Sequence, residues 1–583
     1  MAADWKTKPE MPEGIFGVVN DLPRLLLQLL FNRGLSGEEE ARKFIDCKYE
    51  GLHDPFLFRD MRRAADRIWE AVEAGEKICI YGDYDADAVT ANAVLRQTFG
   101  FLGVTATSYI PDRFTEGYGV NLEALMKIKD EGTKVIITVD CGTNSADAAE
   151  FCAANNIDFI ITDHHELIGD APKAYALINP KNPEDTYPYS EITGVGVAFK
   201  LACGILSYYD RVTARLWSGT LSTPTMPAKK YAGGFEKWLL DLVAIGTVAD
   251  CHSLMGENRI LVKYGLKVLE KTRWPGLKAI ILSAGLDFKR RPADTYSLGF
   301  VIAPRLNAAG RLEHANVALD VLLETDANLA AEKAQKLDLI NRRRQDLTER
   351  VLSEARERAI LLKDRKILAL MGEGWAKGVV GLVAGRLAEE FNKPAIILEK
   401  LETLSTGSAR TAGEFNILEA IKFASAHLEK FGGHKQAAGL SLKPEKFEVF
   451  YQQVLIYADA NMPREQAPRV LEMEAELLPE DLQLTTYSLV AMMEPFGVDN
   501  PKPKFLIKGA QIISARVVGQ IGKHLQFRLK AGNKEIAAIY FNAPEFAKHL
   551  KIGDTVNVAA ELIEDGWNGR REVKLRIVDL KNK

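Results

Sequence analysis

The sequence predicts an α/β fold: a parallel sheet covered by helices, joined through a long helix to a smaller α/β unit and followed by a C-terminal β-barrel. Three observations predict it. Between residues 77 and 178, apolar strand-like runs alternate with helical segments, the pattern of a parallel sheet buried on both faces. Residues 326 to 362 form a helical run uninterrupted by Pro or Gly. From about Pro468 the pattern turns to short alternating strands punctuated by Gly522, Gly532 and Gly566, which read as a five-stranded OB-type barrel.

At 583 residues the chain is too long for one core, and the pattern divides it into five parts. These are an N-terminal helical extension (1–50), a first α/β domain (51–325), a connecting helix (326–362), a second α/β domain (363–465) and the barrel (466–583). A hydrophobic fraction of 47% and a charged fraction of 26% describe a globular protein and exclude disordered and collagen-like classes. The net charge of -4 neither demands nor excludes nucleic acid, which needs a local basic groove rather than a basic total. The six cysteines, Cys47, Cys79, Cys141, Cys152, Cys203 and Cys251, show no Cys-x-x-Cys pairing, so neither a zinc knuckle nor a disulfide framework is signalled. The start at Met1 to Lys6 lacks the regions of an export signal and no run is long enough to span a bilayer; the expectation is a cytoplasmic protein with no membrane partner.

In chain order, residues 1 to 50 read as short amphipathic helices, one opened by the capping stretch Ser36-Gly37-Glu38-Glu39-Glu40. A helical pattern from Phe58 to Ala74 leads into a strand at Lys77 to Tyr81. Further strands are expected at Val104 to Ile110, Lys134 to Val139, Asp158 to Thr162 and Ala174 to Ile178, with helices near Val89, Asn121, Ser145 and Gly194. In such sheets ligands sit beyond the carboxyl ends of the strands. The first strand is followed by Asp83, Asp85 and Asp87, the third by Asp140, and the fourth by Asp163-His164-His165; the apolar run Leu242 to Val248 leads to Asp250 as another such strand end. Any one of these aspartates is explained by capping the next helix. Gathered in one place they would repel by several kcal/mol, and divalent cations relieve that repulsion. Carboxylates with imidazoles and no thiolate suit Mn2+ or Mg2+, and the set is large enough for two ions roughly 3.5 to 4 Å apart.

Elsewhere, Ile110 to Gly119 pairs Arg113 with the aromatics Phe114 and Tyr118, a combination that suits a nucleotide. Ala303 to Arg311 places Arg305, Asn307 and Arg311 on what reads as a Pro- and Gly-marked turn. The long helix keeps an apolar edge of Leu337, Ile340, Leu347 and Val351 and would span roughly 50 Å; its Arg342-Arg343-Arg344 is either a solvated face or part of a DNA groove. The second α/β unit begins at Lys366 to Met371 and continues through a helix at Gly378 to Phe391 and a strand at Ala395 to Leu398. Its Gly407-Ser408-Ala409-Arg410 and Phe431-Gly432-Gly433-His434 read as loops whose donors form a phosphate pocket. In the barrel, Phe527, Arg528, Lys530 and Tyr540 are candidates for contact with single strands.

The motifs Asp-Tyr-Asp-Ala-Asp (83–87), Val-Asp-Cys-Gly (139–142), Asp-His-His (163–165) and Gly-Thr-Val-Ala-Asp (246–250) occur in the order of the DHH phosphoesterases. Over nearly its whole length the chain resembles that superfamily's single-strand-specific DNA exonucleases, with a DHH domain, a DHHA1 domain and an OB-fold domain; Ala303 to Arg311 and Met493 to Pro501 resemble further motifs of that branch. The resemblance implies that Asp85, Asp87, Asp140, His164 and Asp250 hold two Mn2+ or Mg2+ ions. Asp83 is then a further ligand or support, Asp140 the bridging carboxylate, His165 the contact to the scissile phosphate and Asp163 its catalytic neighbour. It also implies that Arg113, Tyr118, Arg305, Asn307, Arg311, Ser408, Arg410 and His434 bind substrate, with Ser408 and Arg410 at the 5'-phosphate end. The implied activity is 5'-to-3' hydrolysis of single-stranded DNA in recombination and repair, by a monomer whose partners include single-stranded-DNA-binding protein and recombination helicases. An oligoribonuclease, a cyclic-dinucleotide phosphodiesterase and an inactive DNA-binding scaffold stand as alternatives. One residue departs from the family pattern: Ala88 stands where a glycine is usual, and a positive φ there would cost alanine on the order of 1 kcal/mol.

Overall fold

The computed structural model describes residues 4–16, 22–117, 119–209, 233–411, 413–463, 470–519, 522–566 and 571–582. A short strand, β1 (Asp4–Thr7), precedes the first sheet. That sheet contains β2 (Lys77–Gly82), β3 (Thr107–Tyr109), β4 (Thr133–Val139), β5 (Asp158–Thr162) and β6 (Ala176–Ile178), all parallel, in the order β3-β2-β4-β5-β6. Alternation along the strands buries both faces. Ile78, Ile80, Val135, Ile137 and Ile160 pack on the Ala86–Phe101 and Gly194–Ser207 helices. Cys79, Tyr81, Ile136, Phe159 and Ile161 pack on the Leu122–Asp130 and Ala146–Ala154 helices. The strand order reverses between β2 and β4, so the crevice beyond their carboxyl ends is where this topology places a ligand.

Two segments of this domain differ from expectation. The apolar run ending at Asp250 is a helix, Leu240–Ala249, rather than a strand. It is buried from Leu240 to Thr247, and a run apolar on every side looks the same as a buried strand by periodicity. The Pro- and Gly-marked segment is also helical: Ala303–Leu312 continues a π-helical Ser297–Ile302. Pro304 sits in its first turn, where a missing N–H costs nothing. Gly310 lies against Tyr84, whose carbonyl oxygen would be 2.5 Å from an added Cβ.

Ala327–Leu361 is one 35-residue helix, its start capped by Asp326, which accepts from the N–H groups of Asn328 and Leu329. It packs on Pro275–Ser283 and Ala303–Leu312 along its first half and on Lys377–Phe391 along its second. The second sheet holds β7 (Leu368–Glu373), β8 (Ala395–Lys400), β9 (Ser405–Arg410), β10 (Lys430–Gly433) and β11 (Ala437–Leu442) in the order β10-β11-β9-β8-β7, with only β7 and β8 parallel. The two stretches expected as loops, 407–410 and 431–433, are therefore strands. Gly407 and Gly433 mark close backbone approach instead of turns: an added Cβ would fall 2.6 Å from the Ile397 carbonyl oxygen on Gly407 and 2.3 Å from the Ala437 carbonyl oxygen on Gly433.

At the C-terminal end, β12 (Val470–Met473) pairs with β1, and β13 (Ala475–Glu476) leads into β14 (Phe505–Val518), β15 (His524–Ala531), β16 (Lys534–Tyr540), β17 (Thr555–Asp565) and β18 (Glu572–Asn582). The order β13-β14-β15-β16-β18-β17, with β14 also bonded to β17, closes a five-stranded barrel. The runs at Phe505 and Ile512 are one strand, with register shifts on either side of Ala510 and Gly509 at φ 64. Phe527 and Tyr540 fill the barrel's core and are unavailable for base stacking, whereas Arg528 and Lys530 are exposed. The N-terminal helices are no separate extension. Phe16, Leu26, Leu27, Leu29, Leu30 and Phe44 belong to the barrel's own apolar cluster.

Barrel and catalytic domain meet at Met493 to Pro501. The buried Arg259 guanidinium, from the Gly256–Leu269 helix, donates to the carbonyls of Phe44, Met492, Met493, Glu494 and Pro495. Asn500 Nδ2 donates to the carbonyls of Met493 and Pro495 at 2.8 Å each, and Leu254 N donates to Val498 O at 2.9 Å. Among the described residues no helix is long and apolar enough to cross a membrane.

Candidate metal centre

Three strand ends and one helix end converge at the reversal of strand order. After β2, Asp85 caps the Ala86–Phe101 helix, its Oδ1 accepting from Asp87 N at 3.0 Å and Ala88 N at 3.1 Å. The local role that explains a single aspartate is thus real for Asp85, and it orients the carboxylate. Asn307 Oδ1 accepts from Ala86 N at 2.9 Å and braces the same turn. Asp87 Oδ1 accepts from Val195 N at 3.0 Å. Ala88 lies in this helix and is not among the residues of positive φ, so the alanine carries none of the backbone cost a left-handed position would impose.

After β4 the chain turns at Asp140 with φ 60, a conformation aspartate tolerates better than most residues. Asp140 Oδ1 stands 3.0 Å from His164 Nε2. Two glycines make room: an added Cβ on Gly194 would lie 2.5 Å from Asp140 Oδ1, and one on Gly246 would lie 2.6 Å from Asp87 Oδ1. After β5, Asp163 takes four donors: Thr143 N, His164 N, His165 N and His165 Nδ1. Asp250 follows the carboxyl end of its helix, the end whose dipole disfavours an anion. Its Oδ2 lies 3.6 Å from His164 Nε2.

The electrostatics divide these groups by environment. Burial, then the neighbouring carboxylates, pushes Asp83, Asp87 and Asp140 well above the usual carboxylate range and Asp250 up to about 7. Burial, then the adjacent His165, pushes His164 down to about 3, so its imidazole is neutral. For His165 burial acts downward, but the hydrogen bond and charge of Asp163 outweigh it and raise the ring. Asp163 shows the converse: burial acts upward, yet its bonds to His165 and Thr143 hold it below the usual range.

Among the described residues Asp83 Oδ1, Asp87 Oδ2, Asp140 Oδ1 and Asp250 Oδ2 are buried without a hydrogen-bond partner, and the neutral His164 turns its Nε2 toward Asp140 and Asp250. Unpaired buried lone pairs are costly, and a concentration of them on carboxylates beside a neutral imidazole fits divalent cations. His252 joins the group though the sequence reading missed it. Its Nε2 is 3.3 Å from Asp250 Oδ2, and its ring is 4.8 Å from that of His164. Its signal is its place two residues after Asp250, which a strand reading of the Leu242 to Val248 run hides.

Beside the carboxylates lies a cluster of guanidiniums. Burial, then Arg113, Arg344 and Arg410, pushes Arg311 down to about 10, with Asp85 opposing; burial and Arg113 likewise lower Arg410. Among the described residues none of these four arginines forms a salt bridge with a carboxylate. Arg113 lies over the Tyr84 ring at 4.8 Å. Arg311 Nη1 reaches Gly378 O at 3.3 Å, at the seam with the second α/β domain. Arg410 Nη1 donates to Ser408 Oγ at 2.6 Å on β9. Exposed His434 sits at the hairpin beyond β10, and the pairing of Ala437 with Arg410 puts it at the same end of that sheet. Arg305 borders this cluster beside Arg344 but is paired: it donates to Asp338 Oδ1 and Val301 O, tying its helix to the long one. Asn307 likewise acts on Ala86 instead of facing a substrate through its oxygen. Tyr118 lies outside the described residues.

Three family models match the chain: the DHH family N-terminal domain over residues 77–247, the DHHA1 domain over 364–457 and the RecJ OB domain over 473–579. The chain is 36% identical over 558 residues to the single-stranded-DNA-specific exonuclease RecJ of Bacillus subtilis, covering 95% of this chain and 67% of that one. It is 30% identical over 572 residues to the Escherichia coli protein of the same name, covering 95% and 92%. The crystal structure of RecJ in complex with Mn2+ from Thermus thermophilus superposes with a TM-score of 0.80 at 29% identity, covering 100% of this chain and 80% of that one. By domain order, fold and extent of identity, the chain belongs to the RecJ family.

Proposed function

We propose that this protein is a metal-dependent exonuclease that degrades single-stranded DNA from 5' to 3', serving DNA recombination and repair. The observation that carries the reading is the set of orphaned carboxylate oxygens beside an arginine cluster that, among the described residues, forms no salt bridge. Asp85, Asp87, Asp140, His164 and Asp250 would hold two Mn2+ or Mg2+ ions, with Asp83 supporting. When bound, such ions offset charge on the phosphoryl oxygens and make water a competent nucleophile near neutral pH.

The chain's own groups do the rest. Asp163 fixes the His165 ring through Nδ1, leaving Nε2 to face the scissile phosphate as a protonated donor. Arg113 and Arg311 offset phosphate charge nearest the ligands. Ser408 and Arg410, with His434 at the rim, hold the terminal 5'-phosphate across the seam, so that the strand end is fixed opposite the carboxylates and polarity follows. Arg344, on the long helix, lines the same space. The barrel, with Arg528 and Lys530 outward, guides a long strand, which favours a polymer over a dinucleotide. The units 51–325, 363–465 and 466–583 thus divide cleavage, end recognition and strand delivery; single-stranded-DNA-binding protein and recombination helicases are the proposed partners of a cytoplasmic monomer.

Digestion of long single strands labelled at either end, with and without 5'-phosphate, in Mn2+ and in Mg2+, tests this. Label at the 5' end should leave first and faster from phosphorylated ends. Release beginning at the 3' end, or equal rates on duplex and on dinucleotides, would overturn the reading.

A further inference from the structure

We infer that His252 is a direct ligand of one of the two cations, so that this position has two imidazoles and favours Mn2+ over Mg2+. The inference rests on the two-cation reading above and extends it to a residue outside that ligand set.

His252 Nδ1 lies 3.2 Å from Glu191 O. A carbonyl oxygen only accepts, so this contact places the proton on Nδ1 and leaves Nε2 with an exposed lone pair. That lone pair faces Asp250 Oδ2 at 3.3 Å, and Asp250 Oδ2 is itself buried without a hydrogen-bond partner. Two acceptors directed at each other repel unless a proton or a metal cation sits between them, and the third donor atom beside them favours the metal. His164 Nε2 completes the set at 3.6 Å from the same oxygen, and one ligand atom each from His164, Asp250 and His252 lies within 4.8 Å of the other two. Bond lengths of roughly 2.1 Å to nitrogen or oxygen set neighbouring ligand atoms about 3.0 to 3.5 Å apart, close to the 3.3 and 3.6 Å found at Asp250.

The surrounding structure holds this ring still. Asn258, fully buried, donates to Glu191 O at 2.6 Å and to Ser253 O at 3.0 Å, tying the carbonyl that His252 contacts to the residue after it. A carbonyl that fixes the distal nitrogen of an imidazole is the usual support of a metal-ligating histidine. Imidazole suits Mn2+, whereas Mg2+ keeps to oxygen ligands and gives up water reluctantly. Each imidazole added at the expense of a water therefore shifts selectivity toward the transition ion.

The test measures metal binding by the full chain without DNA, following free Mn2+ by electron paramagnetic resonance and Mg2+ by calorimetry. His252→Ala should weaken Mn2+ binding about 10- to 100-fold while changing Mg2+ affinity less than threefold. Nitrogen couplings in pulsed spectra of bound Mn2+ should fall by one imidazole. His252→Asp should restore tight binding and reverse the preference toward Mg2+. Thermal unfolding without metal should be unchanged in both variants, which separates ligand loss from misfolding. Equal Mn2+ affinity and equal nitrogen couplings in wild type and His252→Ala would overturn the assignment of His252. A wild-type chain that binds neither ion would overturn the two-cation reading itself.

Discussion

Gly194→Ala offers a sharp test of how closely Asp140 is positioned. The new Cβ would stand 2.5 Å from Asp140 Oδ1, 2.6 Å from its Cβ and 2.7 Å from its Cγ, against 3.4 Å for ordinary contact. The carboxylate has little room to retreat, because Asp140 is held in a left-handed turn and its N–H donates to Thr162 O at 3.0 Å. It must therefore move by close to 1 Å. Overpacking of this kind costs about 1 to 3 kcal/mol, offset by up to about 1 kcal/mol from replacing glycine at a helix start. Stability should thus change modestly. Function should not: a displacement of roughly 1 Å at a reacting centre costs about 100-fold in rate. The assay is the initial rate on a long single-stranded oligonucleotide in Mn2+, beside thermal unfolding. Gly100→Ala is the control, since that helical glycine has open space where a Cβ would go, and it should be fully active. A Gly194→Ala enzyme within threefold of the wild-type rate would refute the placement of Asp140 at the reacting centre.

Other consequences follow from the same contacts. Asp163→Asn keeps the volume but loses the charge holding His165; the rate should fall about 10- to 100-fold with Mn2+ affinity nearly kept, as rate and titration together would show. Chelation of metal should abolish cleavage and lower the unfolding temperature, and Mn2+ at 100 times its Kd should restore about 2.7 kcal/mol of stability, read by thermal scans with and without the ion. Arg259→Lys leaves most of five carbonyls without their donor and should destabilise the joint by about 3 to 5 kcal/mol, seen as faster proteolysis between barrel and catalytic domain. Asp241, pushed up to about 6 by burial against the bonds of Thr272, Leu242 N and Trp274, binds its proton more tightly folded than unfolded. Its contribution is therefore greatest below about pH 4 and declines by about 3 kcal/mol as pH rises through 6. Denaturation of wild type relative to Asp241→Asn across that range should show the decline.

What could be read from sequence was whatever the chain states locally. Strands β2, β4 and β5 announced themselves because their apolar runs end in chemically marked residues, and the 35-residue helix because nothing interrupts it. The Leu240–Ala249 segment failed because a helix buried all round has no polar face to reveal its period. Gly407 and Gly433 misled for a related reason: glycine permits a turn, but here it permits a neighbouring strand to come close. At the site, the aspartates and His164 were legible as motifs, whereas the different situations of Arg305 and Arg311 were not. Both flank the same motif; one is tied to Asp338 and the other stands among guanidiniums that, among the described residues, have no carboxylate partner, a difference set by helices distant in sequence. The N-terminal helices looked like an appendage because their partners lie more than 400 residues away.

The pairing of β1 with β12 joins Asp4–Thr7 to Val470–Met473, and this has a consequence in time. At about 5 to 20 residues per second of synthesis, the leading segment waits on the order of half a minute or longer for its partner to emerge. During that interval β2 to β6 are complete and can close around their core, while Leu26, Leu27, Leu29 and Leu30 have nothing to cover them. The barrel thus matures after the two α/β domains although part of its apolar cluster is made before either of them. A ribosome stalled before residue 470 would hold a catalytic sheet with its carboxylates already gathered and a sticky, unshielded leader.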